Sequence, residues 1–455
     1  MKAESVPNHN YVINPENAKV LILDGGGRGH AIALRLAREG VSKIFCAPGN
    51  AGTFSFCHNI TELKSNEDIL NFVKKMNIDL TIVGSEHWLE KGVVDVLLFN
   101  NRLIIGPNMA AAQLETSKTF ARNLMKDIPC IKQPLFRTCY CADHARTIFD
   151  EYKLPLVVKA DGLADGKGVH ICRTEKELEF ALKDVCKNKK DRNKPIPYII
   201  EEYLEGPEMS VFAICDLNSF QIIGTAQDYK RVFDNNQGPN TGGMGAISPS
   251  PYATDDLMEK IKNTIINPVH GKMKYEGTPF TGILYVGLML VEGEPYVIEF
   301  NARLGDPETQ VILPLITSSF FELMYKAAMN SVKEVQITFS KQSAVTIVKS
   351  VKGYPGKYKK YQVLKNLEST PECEIIHAGT DCGKNRFWIK SGRVLNVMST
   401  GNTLAEAINK AYSEANKEHF HTEHFRKDIG KDAVEWLENK HSKIQNNQEI
   451  IAIEN

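Results

Sequence analysis

Short apolar runs alternate with amphipathic stretches through the first third of the chain. Positions 20–23, 43–47 and 80–83 are mainly apolar runs of strand length, and alternating with them 31–38, 69–75 and 93–99 repeat their apolar residues at helical spacing. Strand and helix in alternation predict βαβ units and so a parallel sheet. This unit closes near 103–107, and a long helical pattern over 110–126 is predicted to lead into a different region. From position 154 short strands follow one another at 156–160, 169–172, 198–202, 211–215 and 221–226, joined by glycine turns. They predict an α+β body with antiparallel hairpins, ending in a strand at 296–300 and a helix at 320–330. A third region, 344–433, returns to short strands with one helix at 404–416. The expected organisation is therefore an α/β unit at 1–117, a body at 118–336 with a subdomain at about 130–200, a small β-rich unit at 337–440, and a polar tail at 441–455. A lysine-rich stretch at 187–194 reads as an exposed loop.

Composition narrows the function classes. With 42% hydrophobic and 24% charged residues the chain is that of a globular protein with a sizeable core. Lys plus Arg equals Asp plus Glu at 55 each, so no global field recruits nucleic acid or an acidic membrane, and phosphate recognition has to be local. The ten cysteines are scattered without a CxxC pair; only Cys139 and Cys141 lie close, and they read as two reduced residues on a strand. No apolar run approaches the roughly 20 residues of a membrane helix, and no targeting pattern is visible near the N-terminus, so a cytoplasmic protein is expected.

Three glycine-rich segments carry candidate chemistry. LILDGGGRGH, at 21–30, sets glycines between a strand and a helix, where amides and the positive helix end can hold a phosphate. A dinucleotide fingerprint would need a third glycine where His30 stands and an acidic residue near Ala47, so a sugar monophosphate fits better than a nicotinamide cofactor, with Arg28 as a charged donor. KADGLADGKGV, at 159–169, is no Walker loop, because Lys167 is followed by Gly168. A hairpin carrying Lys159 and Lys167 could instead fold over a triphosphate. GPNTGGMG, at 238–245, follows Asp228, Lys230 and Arg231 and suggests a mobile loop that encloses substrate.

A fourth motif supplies carboxylates. In EFNARLGDPETQ, at 299–310, strand alternation puts Glu299, Asn301 and Arg303 on one face. Oxygens of Glu and Asn suit a hard cation such as Mg²⁺, and Arg303 beside them can hold a phosphoryl or carboxylate group. The combination points to metal-assisted phosphoryl transfer.

Together these motifs, with PGNAGT at 48–53, VVKADGLADGKGV at 157–169, GPNTGGMGA at 238–246, HAGT at 377–380 and SGRVL at 391–395, resemble the phosphoribosylamine–glycine ligases, also called glycinamide ribonucleotide synthetases, of the ATP-grasp superfamily. The resemblance runs from about Val20 to Ala433. It implies an N-terminal pre-ATP-grasp sheet, an ATP-grasp body with a lid, and a C-terminal domain. It implies ATP and Mg²⁺ or Mn²⁺ as cofactors, with glycine and 5-phosphoribosylamine as substrates, and a monomer or weak homodimer acting on small molecules. By the same resemblance Lys118, Lys159, Gly166 and Lys167 contact nucleotide phosphates. Glu201, Tyr203 and Leu204 form the adenine edge, Glu208 takes the ribose, and Glu299 and Asn301 hold the metal. Gly26, Gly27, Arg28, Gly49 and Asn50 would hold phosphoribosylamine, together with Lys230, Arg231, Asn240, Thr241, Gly242 and Gly243. Arg303, Gly305 and Asp306, with Lys159 and Asp228, would surround the reacting groups.

The chain departs from the family pattern in places. The usual Gly-Ser-Gly-Gly-Arg-Glu-His turn carries Asp24, Gly25 and Gly29, Tyr229 stands where His is usual, and Gly-Pro-Glu becomes Gly84, Ser85 and Glu86. These changes bear on substrate affinity more than on reaction type. Two other readings stay open at this point: an ATP-grasp ligase for a different acid, and a nucleotide-binding protein without turnover.

Overall fold

The computed structural model describes residues 13–140, 145, 153–163, 168–187, 197–383, 386–440 and 442. Cys141, Gly166, Lys167, positions 188–194 of the lysine-rich stretch and nearly all of the tail lie outside them. Among the described residues no helix is long and apolar enough to cross a membrane.

The N-terminal alternation folds as expected. Five parallel strands stand in the order His58–Asn59, Lys43–Cys46, Lys19–Leu23, Leu80–Val83 and Ile104–Ile105. Helices cover both faces, which is why the central strands are almost entirely apolar and buried. Leu21 and Leu23 pack into one core with Ile69 and Val73, while Val20 and Ile22 pack into another with Ile32 and Leu36. The helix Asn66–Met76 begins at a Ser65–Asp68 capping box and stops at Asn77 in the left-handed region.

The pattern at 110–126 is not one helix. It breaks into Gln113–Thr116 and Lys118–Lys126, because Ser117 is extended and its hydroxyl accepts the Phe120 amide. A serine inside an amphipathic pattern can end one helix and cap the next, since its side chain competes for backbone groups. The new helix carries Lys118 and Arg122 four residues apart, on one face.

Beyond it lie two antiparallel sheets. The smaller has the order Phe136–Cys139, Tyr198–Glu202, Leu156–Ala160, Val169–Cys172. The larger runs Glu294–Asn301, Gly282–Val291, Glu208–Cys215, Phe220–Asp228, Gly245–Ser248, Ser343–Val351, Arg393–Gly401, Cys373–His377. The strand Gly245–Ser248 pairs with Asp228 on one side and with Ser343–Val351 on the other. The third region of the sequence therefore completes the sheet of the second, and Arg393 is carried to the same side of the molecule as the glycine-rich loop near Gly242.

Arg231–Phe233 and Gln237–Asn240 form a hairpin, turned by Asn235 and Asn236 with both φ values near +55°. C-terminal residues fasten it. Arg426 donates to the Arg231 carbonyl and to Asn236, His424 meets the Val232 carbonyl at 2.7 Å, and the Asn235 amide donates to Asp428 at 2.7 Å. Long-range bonds of this kind were invisible in a run of glycines.

Candidate active site

Sheet register gathers the acidic residues. Ser210 stands opposite both Ala226 and Gly287, Gly287 opposite Glu299, and Tyr285 opposite Asn301. Opposed residues share a face and alternate residues return to it, so Glu208, Asp228, Tyr285, Glu299 and Asn301 all project from one side of the large sheet. Gly287 keeps that face open, since a Cβ there would lie 2.9 Å from the Glu299 Cγ.

Lys230 sits among the carboxylates, with its ammonium 2.7 Å from Glu208, 3.7 Å from Glu299 and 3.9 Å from Asp228. Burial alone would lower its pKa, yet Asp228, Glu208 and Glu299 raise it well above the ordinary value. One cation does not keep three neighbouring carboxyl groups ionised. Burial, with the charges of Glu308, Glu208 and Glu299, pushes Asp228 up to about 8 against the pull of Lys230. Glu299 goes the other way: burial opposes its ionisation, but Lys230, Lys159 and Lys118 lower its pKa.

The small sheet forms the opposite wall. Val157 stands opposite Glu201 and Lys159 opposite Ile199, so Lys159 and Glu201 share a face. Glu201 is fully buried and accepts from Arg122 at 2.5 Å and Lys159 at 2.7 Å. Burial would raise its pKa, but these two cations and their hydrogen bonds hold it at about 2. Arg122 also donates to the carbonyls of Val297 and Ile298, tying this wall to the edge of the large sheet. Lys118 donates to the Gly162 carbonyl at 2.9 Å, and burial lowers its pKa. Glu201, expected to meet an adenine amino group, accepts here from both cations, and Tyr203 and Leu204 line the same cleft. Arg173 lies over the Tyr203 ring.

The cleft between the walls encloses about 1120 Å³. Gly26, Gly49, Arg231, Asn240, Thr241 and Gly305 reach its lining. Three glycine-turn expectations change. Asn50 has its amide spent on the Gly26 and His377 carbonyls and its oxygen on the amides of Gly52 and Thr53. Gly27 is a packing glycine, where a Cβ would strike Gln310 and Asn396, and Gly243 makes room for Pro307. All three hold the walls in place and none is part of the cleft lining.

The arginines are also engaged. Arg28 donates to Asp24 at 2.6 Å and to the Leu304 carbonyl at 2.9 Å, and its amide donates to Asp306. Arg303 pairs with Glu115 at 2.7 Å and Glu86 at 3.1 Å. Burial would raise the Glu86 carboxyl, but Arg303 and Arg28 bring it down to about 2. Asp306 accepts from Gln310 and lies 3.6 Å from Arg393, whose guanidinium also donates to the carbonyls of Gly242 and Asp306. Arg393, Glu86 and Glu115 were absent from the sequence-predicted site. The signals were the SGRVL segment and Glu86 of the altered Gly-Pro-Glu, both visible but without a role until the fold brought them in. Tyr229, standing where His is usual, donates to Asp432 at 2.5 Å from inside the core.

Two sheets facing one another across a cationic and carboxylate-lined cleft, behind a parallel-sheet domain, define an ATP-grasp protein. A biotin carboxylase-beta-gamma-ATP complex from Campylobacter jejuni shares this fold, with TM-score 0.69 and 16% identity over 90% of this chain and 92% of that one. The chain belongs to the phosphoribosylglycinamide synthetase family. It matches the family's N domain at 18–115, its ATP-grasp (A) domain at 116–309 and its C domain at 344–432. It is 41% identical over 419 residues to the phosphoribosylamine–glycine ligase of Fusobacterium nucleatum, covering 90% of this chain and 98% of the relative. To that of Caldanaerobacter subterraneus it is 39% identical over 416 residues, covering 90% and 99%. The crystal structure of the Thermotoga maritima phosphoribosylamine–glycine ligase superposes with TM-score 0.77 at 32% identity, covering 90% of this chain and all of that one.

Proposed function

We propose that this chain joins glycine to 5-phosphoribosylamine with the conversion of ATP to ADP and phosphate, forming glycinamide ribonucleotide in purine biosynthesis. The observation that carries the reading is the division of charge across the cleft. Lys118, Lys159 and Arg122 gather around the buried carboxylate of Glu201 on one wall, and Glu208, Asp228, Glu299 and Glu308 line the other with Lys230 among them. The cationic wall suits a triphosphate, with Lys118 and Lys159 as its contacts, and Glu208 at the cleft's rim suits the ribose hydroxyls. Gly166 and Lys167, outside the described residues, are read as further phosphate contacts.

Glu299 and Asn301 suit Mg²⁺ or Mn²⁺. Their oxygens share a face, Glu299 pairs no closer than 3.7 Å and Asn301 accepts from Arg303 at a loose 3.4 Å. Two protein oxygens are a sufficient share for an ion that takes the rest from phosphates and water. When bound, it would neutralise charge on the phosphates.

A carboxylate is a poor acyl donor, so a glycine oxygen first attacks the γ-phosphorus, releasing ADP and leaving glycyl phosphate. The amine of phosphoribosylamine then attacks the acyl carbon and phosphate leaves. No enzyme nucleophile is needed. The chain's residues bind, orient and exclude water from the acyl phosphate. Phosphoribosylamine fits between the Gly26 and Gly49 turns and the Gly242 loop, flanked by Arg28 and Arg393, with Arg303, Gly305, Asp306 and Asp228 nearest the reacting groups. Lys230, Arg231, Asn240 and Thr241 brace that loop. The working units in this reading are 1–117, 118–336 and 337–440, in the cytoplasm, as a monomer or weak homodimer.

The test is ADP release by the purified protein with MgATP. Release should require both glycine and freshly prepared phosphoribosylamine. Release that ignores glycine would instead favour a ligase for another acid.

A further inference from the structure

Glu308 is a buried carboxylate with no countercharge. It is 4% exposed, lines the cleft, and its Oε1 accepts a hydrogen bond from the Tyr285 hydroxyl at 2.9 Å. Tyr285 in turn accepts from Ser210 at 2.7 Å. The cleft's other buried carboxylates, Glu115 and Glu201, each hold an arginine. Lys230 and Arg303 act on Glu308 only at a distance, as charge without a hydrogen bond, and among the described residues it forms no ion pair.

Burial raises the Glu308 pKa against its own backbone hydrogen bond, the Tyr285 hydrogen bond and the distant charges of Arg303 and Lys230, so the empty cleft favours the neutral carboxyl and an arriving cation favours the carboxylate. The surroundings preserve it. A Cβ on Gly305 would lie 2.4 Å from the Glu308 Oε2, so only glycine at 305 leaves that oxygen its place. The position also fits a short zwitterion. Tyr285, which holds Glu308, stands opposite Asn301 on the face that carries Glu299, so an ammonium at Glu308 lies beside the row where a carboxylate would meet the phosphoryl group.

We infer that Glu308, held by Tyr285 and given room by Gly305, binds the ammonium group of the amino-acid substrate and so selects glycine over acids lacking an amine. This rests on the reading of the cleft as a glycine-activating site.

The experiment uses the full chain with MgATP and phosphoribosylamine, varying glycine, and with glycolate as competitor, since glycolate replaces the ammonium by a hydroxyl. Wild-type protein that fails to release ADP in response to glycine defeats the underlying reading, not this assignment. Given that response, Glu308→Gln should raise KM for glycine about 10- to 100-fold, with KM for ATP within about 2-fold. It should also collapse the preference for glycine over glycolate. Gln keeps the hydrogen bond from Tyr285 and removes an unpaired buried charge, so folding is expected to survive. Glu308→Asp, which retracts the charge, should raise KM for glycine while keeping discrimination against glycolate, and it serves should the Gln variant not fold. Tyr285→Phe separates positioning from contact: it should weaken glycine binding less than Glu308→Gln and preserve selectivity. Unchanged KM and unchanged glycolate discrimination in both Glu308 variants overturn the assignment, as does equal loss of ATP and glycine binding.

Discussion

The two walls of the cleft are built from the same kinds of residue and reach opposite electrostatic ends. On the small-sheet wall Glu201 is shared by Arg122 and Lys159, with Lys118 beside them, so positive charge is in excess. On the large-sheet wall one lysine serves Glu208, Asp228 and Glu299 while Glu308 has none, so carboxyl groups outnumber the cations that would keep them ionised. The first wall is complete as it stands and lacks only an anion. The second waits for cations. Structural ion pairs and binding sites thus differ in balance of charge rather than in composition.

The comparison breaks most sharply at Arg122. Removing Arg122 leaves the fully buried Glu201 to Lys159 alone and strips the donor from two carbonyls of the opposite sheet. Arg122→Ala should lower stability by about 3–5 kcal/mol, read by denaturant unfolding. A change below about 1 kcal/mol would mean that the wall is not held by this triad. Glu299→Ala acts on the other wall, where charge is in surplus, so the fold should persist while turnover falls on the order of 100-fold or more. Near-normal turnover at saturating Mg²⁺ removes its metal role. Lys159→Ala should raise KM for ATP on the order of 10-fold with KM for glycine unchanged, because Arg122 still satisfies Glu201. Equal effects on both substrates would erase the distinction between walls.

The smallest effect concerns what holds the walls together. His30, on the first helix, accepts the His377 amide at Nδ1, 2.9 Å away, joining the N-terminal unit to the C-terminal region. Burial, with the nearby His377, lowers His30 to about 3, and burial lowers His377 to about 4. The unfolded chain takes up protons below about pH 6.5 while the folded chain does not, so their contribution is whole above that pH and declines as pH falls. Thermal midpoints should drop between pH 7.5 and 5, with a shallower slope for His30→Gln. A slope that the substitution leaves unchanged assigns the acid sensitivity elsewhere.

Much of this was legible in the sequence. Continuous apolar runs gave the parallel sheet, and the motif at 299–310 already placed Glu299 and Asn301 on one face, as the register confirms. What escaped was long-range. Ser117 sits in a helical pattern yet its hydroxyl caps a new helix, Arg426 and His424 fasten the hairpin that leads into the glycine-rich loop, and Arg393 meets Asp306 only once the sheet carries it there. Periodicity reports local burial. It does not report which distant strand supplies the last hydrogen bond.

The division of charge is tested most directly by a crystal structure of the protein with a non-hydrolysable ATP analogue and Mg²⁺. The account predicts phosphate oxygens within hydrogen-bond distance of Lys118 and Lys159, and the ion on the Glu299 and Asn301 oxygens. Phosphates seated away from both lysines, or an ion held without Glu299, would contradict it.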